Sequence, residues 1–174
     1  SLTNMRVILI HGYKSSPQLN FFPWLHDRLK DQGFEFIAPA LPNPAEPDPE
    51  AWTKTLLEEV GPLNDETIIV GHSLGAAESL IFLEAAEARS TPKAVFLIAA
   101  PWDIKADTFK GFFMSELEYD VIPWKAHDFY VIHAKNDSKI PFDHGKKYAA
   151  MLKAELIATE SGEHFQGAEY PIIL

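Results

Sequence analysis

The chain has 174 residues and no cysteine. That absence excludes disulfides, thiolate nucleophiles, iron–sulfur clusters and Cys-ligated zinc together, and it fits a reducing compartment, so a cytoplasmic location is expected. Cationic side chains are scarce: 15 Lys and Arg stand against 25 Asp and Glu, a formal charge of −10 at pH 7. Such a surplus repels phosphate backbones and anionic lipid surfaces, and no Lys/Arg cluster opposes it locally, so neither nucleic acid nor membrane is an expected partner. Long apolar runs are missing too. The longest, Ala94 to Trp102, falls well short of the roughly 18 residues a membrane span needs. Arg6 is followed only by Val7 to Ile10 before His11-Gly12, too short a run for a signal peptide. Ser1 to Asn4, ahead of Met5, read as an expression remnant and are set aside. No H-E-x-x-H occurs and the histidines are scattered, so no metal site is expected.

What remains is a globular composition, 47% hydrophobic and 23% charged, of a length suited to one domain over residues 1–174. Short apolar or β-branched runs recur at Met5 to Ile10, Phe34 to Ala38, Thr67 to Val70, Ala94 to Ala99, Phe129 to His133 and, more weakly, Glu155 to Ala158. Most of them are continuous instead of alternating, as expected of strands covered on both faces. Helical patterns lie between them. Asp48-Pro49 reads as an N-cap with Pro at the first helical position, Trp52, Leu56, Leu57 and Val60 follow at helical spacing, and Gly61-Pro62 ends the pattern. Tyr148, Met151 and Leu152 recur likewise, and Ser73 to Ala88 is apolar on most faces, suiting a central helix. The expected fold class is α/β: a three-layer α/β/α sandwich with a mostly parallel sheet of about six strands. Two stretches interrupt the rhythm. Residues 39–49 hold five of the thirteen prolines and read as an extended loop, and residues 102–124 form an insertion near the site. Both follow strand C-terminal ends, where open α/β sheets place ligands.

Gly71-His72-Ser73-Leu74-Gly75 fits G-x-S-x-G, between an apolar run and a helical stretch. The physics of that turn is specific: a serine in strained backbone at a helix N-terminus, with Gly71 and Gly75 allowing strand and helix to approach closely. A serine nucleophile needs an imidazole base and an acid to orient it, in chain order Ser, acid, His. Asp137, in the polar loop after Phe129 to His133, is the candidate acid, and His164, in Ser161 to Phe165 past the last strand, the candidate base. His11 and His133 fall before the nucleophile or before the acid. His26, His127 and His144 lie in or near helical stretches and read as surface residues, and His72 reads as a packing or orienting residue of the turn. Asp103 is a further candidate acid, Asp143 reads as a helix N-cap, and Glu163 as a solvated neighbour of His164. The oxyanion donors are expected from Leu74 N–H and, across the loop His11-Gly12-Tyr13, from Tyr13 N–H. Gly12, Trp24, Trp102, Phe112 and Phe113 are the expected lining of a substrate pocket. Phe21, Phe22, Phe109 and Trp124 are further candidates, although core packing explains any one of these aromatics as well.

With these residues placed, the chain resembles the α/β-hydrolase superfamily and, more narrowly, the small serine hydrolases grouped with retinoblastoma-binding protein nine and its bacterial relatives. The resemblance rests on His11-Gly12-Tyr13, Phe22-Pro23-Trp24-Leu25, Leu41-Pro42-Asn43-Pro44, Thr67 to Ala76, Asn136-Asp137 and His164-Phe165-Gln166. It implies a compact α/β-hydrolase fold, no cofactor, and a Ser-Asp-His triad on Ser73, Asp137 and His164. Two departures stand out: relatives carry Gly directly before the histidine where this chain has Glu163, and they continue through a C-terminal helix of which Tyr170 to Leu174 would be the start. The function the resemblance implies is hydrolysis of a carboxylic ester or related acyl bond through an acyl-enzyme, with a small acyl compound as partner. Thioesters and peptides use the same mechanism. The alternative is a non-enzymatic protein-binding module on the same fold, and no protein partner is indicated. Ser73 at the turn excludes the aspartate nucleophile of dehalogenases.

Overall fold

Strands that are apolar throughout are stable only with both faces of their sheet covered. In the computed structural model, which describes residues 4–114 and 116–173, six strands form one sheet: β1 (Arg6–Ile10), β2 (Glu35–Ile37), β3 (Thr67–His72), β4 (Ala94–Ile98), β5 (Asp128–Ala134) and β6 (Glu155–Thr159). Their order is β2-β1-β3-β4-β5-β6 and every neighbouring pair is parallel. Side-chain alternation then divides the core. Ile8, Ile10, Ile69, Val95, Leu97 and Val131 pack with helices α2 (Pro49–Val60), α3 (Leu74–Ala85) and α4 (Phe142–Leu152). Val7, Leu9, Val70, Ile98 and Ile132 point the other way, to Phe21, helix α1 (Phe22–Asp31) and Phe165. The result is the three-layer α/β/α arrangement read from the sequence, a compact α/β fold. No helix among the described residues is long and apolar enough to cross a membrane.

The local signals act as their chemistry dictates. Asp48 accepts a hydrogen bond from Ala51 N–H at 3.3 Å and Pro49 opens α2, which stops at Gly61 with φ of 72°. Helix α3 is buried along most of its length because it lies centrally on β3, β1 and β4. At α4 the expected cap is different: Pro141 occupies the N-cap position, while Asp143 sits in the first turn and pairs with Lys146 at 3.0 Å. A carboxylate there favours the positive end of the helix without capping it. Among the described residues of 102–124, two short 3-10 turns form, Lys110–Phe112 and Ile122–Trp124.

Strand order fixes where the site lies. The chain leaves β1 toward β2 on one side, while β3 pairs with β1 on the other, so the crossovers diverge between β1 and β3. A crevice opens at the carboxyl ends of two such strands. Here those ends carry His11-Gly12-Tyr13 and Gly71-His72-Ser73.

Candidate active site

The turn after β3 holds Ser73 at φ 56° and ψ −126°, a left-handed backbone that costs energy for any residue but glycine. The strain is held by close packing around it. A Cβ on Gly75 would overlap the carbonyl oxygens of Ile10 and His11, and one on Gly71 would overlap Ser79 Oγ and the α3 backbone. Ser73 N–H is pinned to Ile98 O at 2.9 Å. From Gly71 to Leu80 every residue is buried except Ser73, whose side chain reaches the surface of the crevice.

There it meets His164, with Nε2 2.8 Å from Ser73 Oγ, while His164 Nδ1 lies 2.9 Å from Asp137 Oδ2. A carboxylate only accepts, so Nδ1 carries the proton and Nε2 offers its lone pair to the serine hydroxyl. Asp137 is buried, which pushes its carboxyl up, yet hydrogen bonds from His164 and from the backbone N–H groups of Ile140 (2.8 Å) and Lys139 (2.9 Å) outweigh burial and hold it below its ordinary value. The acid is therefore ionised across the neutral range. The structure thus brings the three side chains read from the sequence into one hydrogen-bonded row.

The loop carrying His164 departs from regular backbone at every flanking position: Gly162, Glu163 and Phe165 all have positive φ, at 118°, 50° and 56°. This gives the sequence departure at Glu163 its physical content. A glycine would adopt that conformation without a Cβ penalty, and here an exposed glutamate adopts it, held by its N–H to Asn136 Oδ1 at 2.9 Å. Asn136 thereby ties the His164 loop to the Asp137 loop.

Three buried histidines surround the row, and each stays neutral because burial lowers its pKa. His72 Nε2–H donates to the His164 carbonyl at 2.8 Å, and burial pushes its pKa down to about 3. Its orienting role in the sequence reading gains a definite partner here, which no local pattern shows. His11 accepts from Leu41 N–H at Nε2 (3.0 Å), so its Nδ1–H donates to Gly12 O at 3.0 Å. In a trans peptide C=O and N–H point opposite ways, so that bond turns Tyr13 N–H away from His11. A Cβ on Gly12 would stand 3.3 Å from both Leu74 N and Ser73 Cβ, which places the loop directly against the turn. Leu74 N–H is among the first donors of α3, unmatched within the helix. His133 Nε2–H donates to Ile140 O at 2.7 Å, bracing the Asp137 loop from below. His144, read as a surface residue, is half-buried and accepts from Trp102 N–H at 2.9 Å. His26 and His127 are exposed.

A cavity of about 180 Å³ adjoins Ser73, lined by Gly12, Tyr13, Lys14, Ser15, Leu19, Asn20, His72, Ser73, His164 and Gln166. Of the expected pocket residues it contains Gly12. Trp102, Phe112 and Phe113 line a different cavity, of about 340 Å³, with Tyr119 and Tyr148. Trp24 packs against the α1 side of the core. Phe21 and Phe22 are fully buried with ring edges toward His72, Phe109 packs edge-on to Tyr13, and Trp124 is exposed. Runs of aromatics in the sequence thus mark core and a second cavity, while the polar loop 14–20 beside Ser73 gave no comparable signal. Among the described residues, no three His, Asp or Glu side chains are grouped to hold a metal ion.

Comparison with known proteins bears on the family and the fold. The family model described as serine hydrolase matches residues 7–169. YdeN of Bacillus subtilis (strain 168), named there as a hydrolase yet to be proven, is 32% identical over 162 residues, covering 92% of this chain and 85% of its own length. The crystal structure of the ydeN gene product superposes with a TM-score of 0.89 at 29% identity, over 97% of this chain and 94% of that one. A structure from Xanthomonas campestris pv. campestris, assigned to the alpha/beta hydrolase superfamily, shares the fold at a TM-score of 0.66 and 20% identity, over 92% and 88% of the two chains. The chain belongs to the serine hydrolase family.

Proposed function

We propose that the protein hydrolyses a carboxylic ester through an acyl-enzyme on Ser73, with His164 as base and Asp137 as its orienting acid. The observation that carries this reading is the unbroken row Ser73 Oγ, His164, Asp137 at 2.8 Å and 2.9 Å beneath a strained turn. Ser73 Oγ bonds to the ester carbonyl carbon as its proton passes to His164 Nε2, and the carbonyl π pair moves onto oxygen. Tyr13 and Leu74 N–H hold that oxyanion, and Asp137 stabilises the imidazolium. Collapse breaks the bond to the leaving oxygen, which takes the proton from His164. Water then repeats the sequence at the acyl-enzyme and releases the carboxylic acid. The narrower kinship with the retinoblastoma-binding protein nine group belongs to the same reading and rests on Leu41-Pro42-Asn43-Pro44 alongside the turn. So does a small acyl partner met in the cytoplasm.

The test is intact-mass spectrometry after exposure to a fluorophosphonate, on the wild type and Ser73→Ala in parallel. The expected result is one adduct on the wild type and none on the variant. An unlabelled wild type, or a labelled variant, overturns the assignment.

A further inference from the structure

The cavity beside Ser73 is small and rich in donors, and this deepens the proposed function, on which it rests. Its volume of about 180 Å³ suits a short acyl group better than a long alkyl chain. The aromatic cavity at Trp102, Phe112 and Phe113 shares no described lining residue with it, so those rings do not extend it into an apolar tunnel.

Its walls are polar. Lys14 folds back along Tyr13, with Nζ 5.3 Å from the ring centroid, keeping an ammonium beside the proposed oxyanion loop. Gln166 has its Oε1 engaged by Lys139 Nζ at 2.8 Å, which leaves its amide N–H groups as the free end. Ser15 and Asn20 complete that wall. Among the described residues no carboxylate lines the cavity, although the chain carries 25 of them. The backbone of the wall is held in place, with the Lys14 side chain exposed at its rim. Lys14 and Asn20 both hold left-handed backbone, at φ 51° and 54°, with Lys14 N–H bonded to Pro44 O at 2.9 Å. Strained positions of this kind persist where the surroundings determine them, and they recur at ligand clamps. With a net charge of −10 the long-range field opposes an anion, so selection of one must come from such a local arrangement.

We propose that this cavity is an anion-accepting acyl subsite, and that the substrate class is the half-ester of a short dicarboxylic acid, or a short ester ending in an equivalent oxyanion, with Lys14 as the specificity-determining cation.

The experiment compares kcat/KM for ethanol release from monoethyl succinate, ethyl butyrate and ethyl octanoate by the wild type, Lys14→Gln and Lys14→Glu. The first two esters have acyl groups of equal carbon number and differ in the terminal carboxylate. The wild type is expected to favour monoethyl succinate by about tenfold, the size of one charge-assisted hydrogen bond, with ethyl octanoate poorest. That ratio falls toward one in Lys14→Gln, through KM, and inverts in Lys14→Glu. A wild type that turns over ethyl butyrate or ethyl octanoate as well as monoethyl succinate, or none of them, overturns the inference, as does a ratio unchanged in both variants. Fluorophosphonate labelling of the same samples separates the two levels. An adduct on Ser73 without the expected preference fails the subsite alone, whereas an unlabelled wild type fails the reading of Ser73 and the subsite with it.

Discussion

At the scale of single residues, two neighbours in the turn grip the same histidine from opposite ends. Ser73 Oγ meets His164 Nε2 at 2.8 Å, and the adjoining His72 holds the His164 carbonyl, also at 2.8 Å. His72 is enclosed by the edges of Phe21 and Phe22, and its neutral state at all working pH keeps Nε2–H as a constant donor. On the proposed mechanism it is a positioning residue, outside the reacting atoms. Replacing it by Phe keeps a ring in the pocket and removes the donor, so His164 loses its register with Ser73. The expected effect is a fall of about tenfold to a hundredfold in kcat with KM little changed, the size of a misplacement of about 1 Å. His72→Gln, which can still donate, should recover part of it. Steady-state kinetics on both variants, with circular dichroism to verify folding, decides the matter: equal losses in the two, or a change in KM alone, contradicts a positioning role.

At the scale of elements, the approach of α3 to β1 sets the site, and glycine sets the approach. A methyl on Gly75 has nowhere to go against the Ile10 and His11 carbonyl oxygens, so Gly75→Ala must push α3 off the sheet. A loss of about 3 kcal/mol or more is expected, as for overpacking in a closed core. Gly61→Ala is the control, since nothing lies within 4 Å of its Cβ and only its backbone, at φ 72° and ψ −165°, opposes the change, at about 1–3 kcal/mol. Urea unfolding of the two variants should show that order, and equal midpoints would mean that α3 relaxes freely. These elements were legible from the sequence because the physics that makes them is local. Continuous runs such as Val7 to Ile10, the cap at Asp48-Pro49 and the glycines at 71 and 75 each record a constraint within a few residues. That Ser73, Asp137 and His164 would meet at one place was legible because strand ends in a parallel sheet converge on one edge. The small polar cavity was not, since Lys14, Asn20 and Gln166 become neighbours only through the fold, and aromatics near strand ends look alike whether they line a site or fill a core. The His72 contact spans 92 positions of chain, and no spacing rule reaches that far.

At the scale of the whole molecule, buried titratable groups of opposite sign should give stability a maximum near neutrality. His11, His72 and His133 are buried and neutral, with folded pKa values lowered by burial, to about 3 for His72. Below pH ~6.5 the unfolded chain protonates them and the folded one does not, so the unfolded state binds more protons and stability falls as the pH drops. Asp137, held below its ordinary value, adds to this loss only at still lower pH, as pH falls from its unfolded value through its folded one. Glu78 works the other way. It is fully buried, takes one hydrogen bond from Thr53 Oγ1 at 2.8 Å and leaves Oε1 without a partner among the described residues. Burial, opposed by the Thr53 hydrogen bond and reinforced by Asp48, raises its pKa well above the ordinary value. From its unfolded pKa upward the folded state therefore binds the extra proton, and stability falls as pH rises until Glu78 ionises in the fold. Between pH ~4.5 and ~6.5 three imidazoles outweigh one carboxyl and stability climbs with pH; above that window Glu78 acts alone and stability declines. Thermal unfolding from pH 4 to 9 should show this asymmetric dome. Glu78→Gln should leave the acid limb in place and flatten the alkaline one, raising Tm at pH 8 by a few degrees, as expected for about 1 kcal/mol in a domain of this size. An alkaline limb unchanged in Glu78→Gln would mean that another group, and not this carboxyl, sets it.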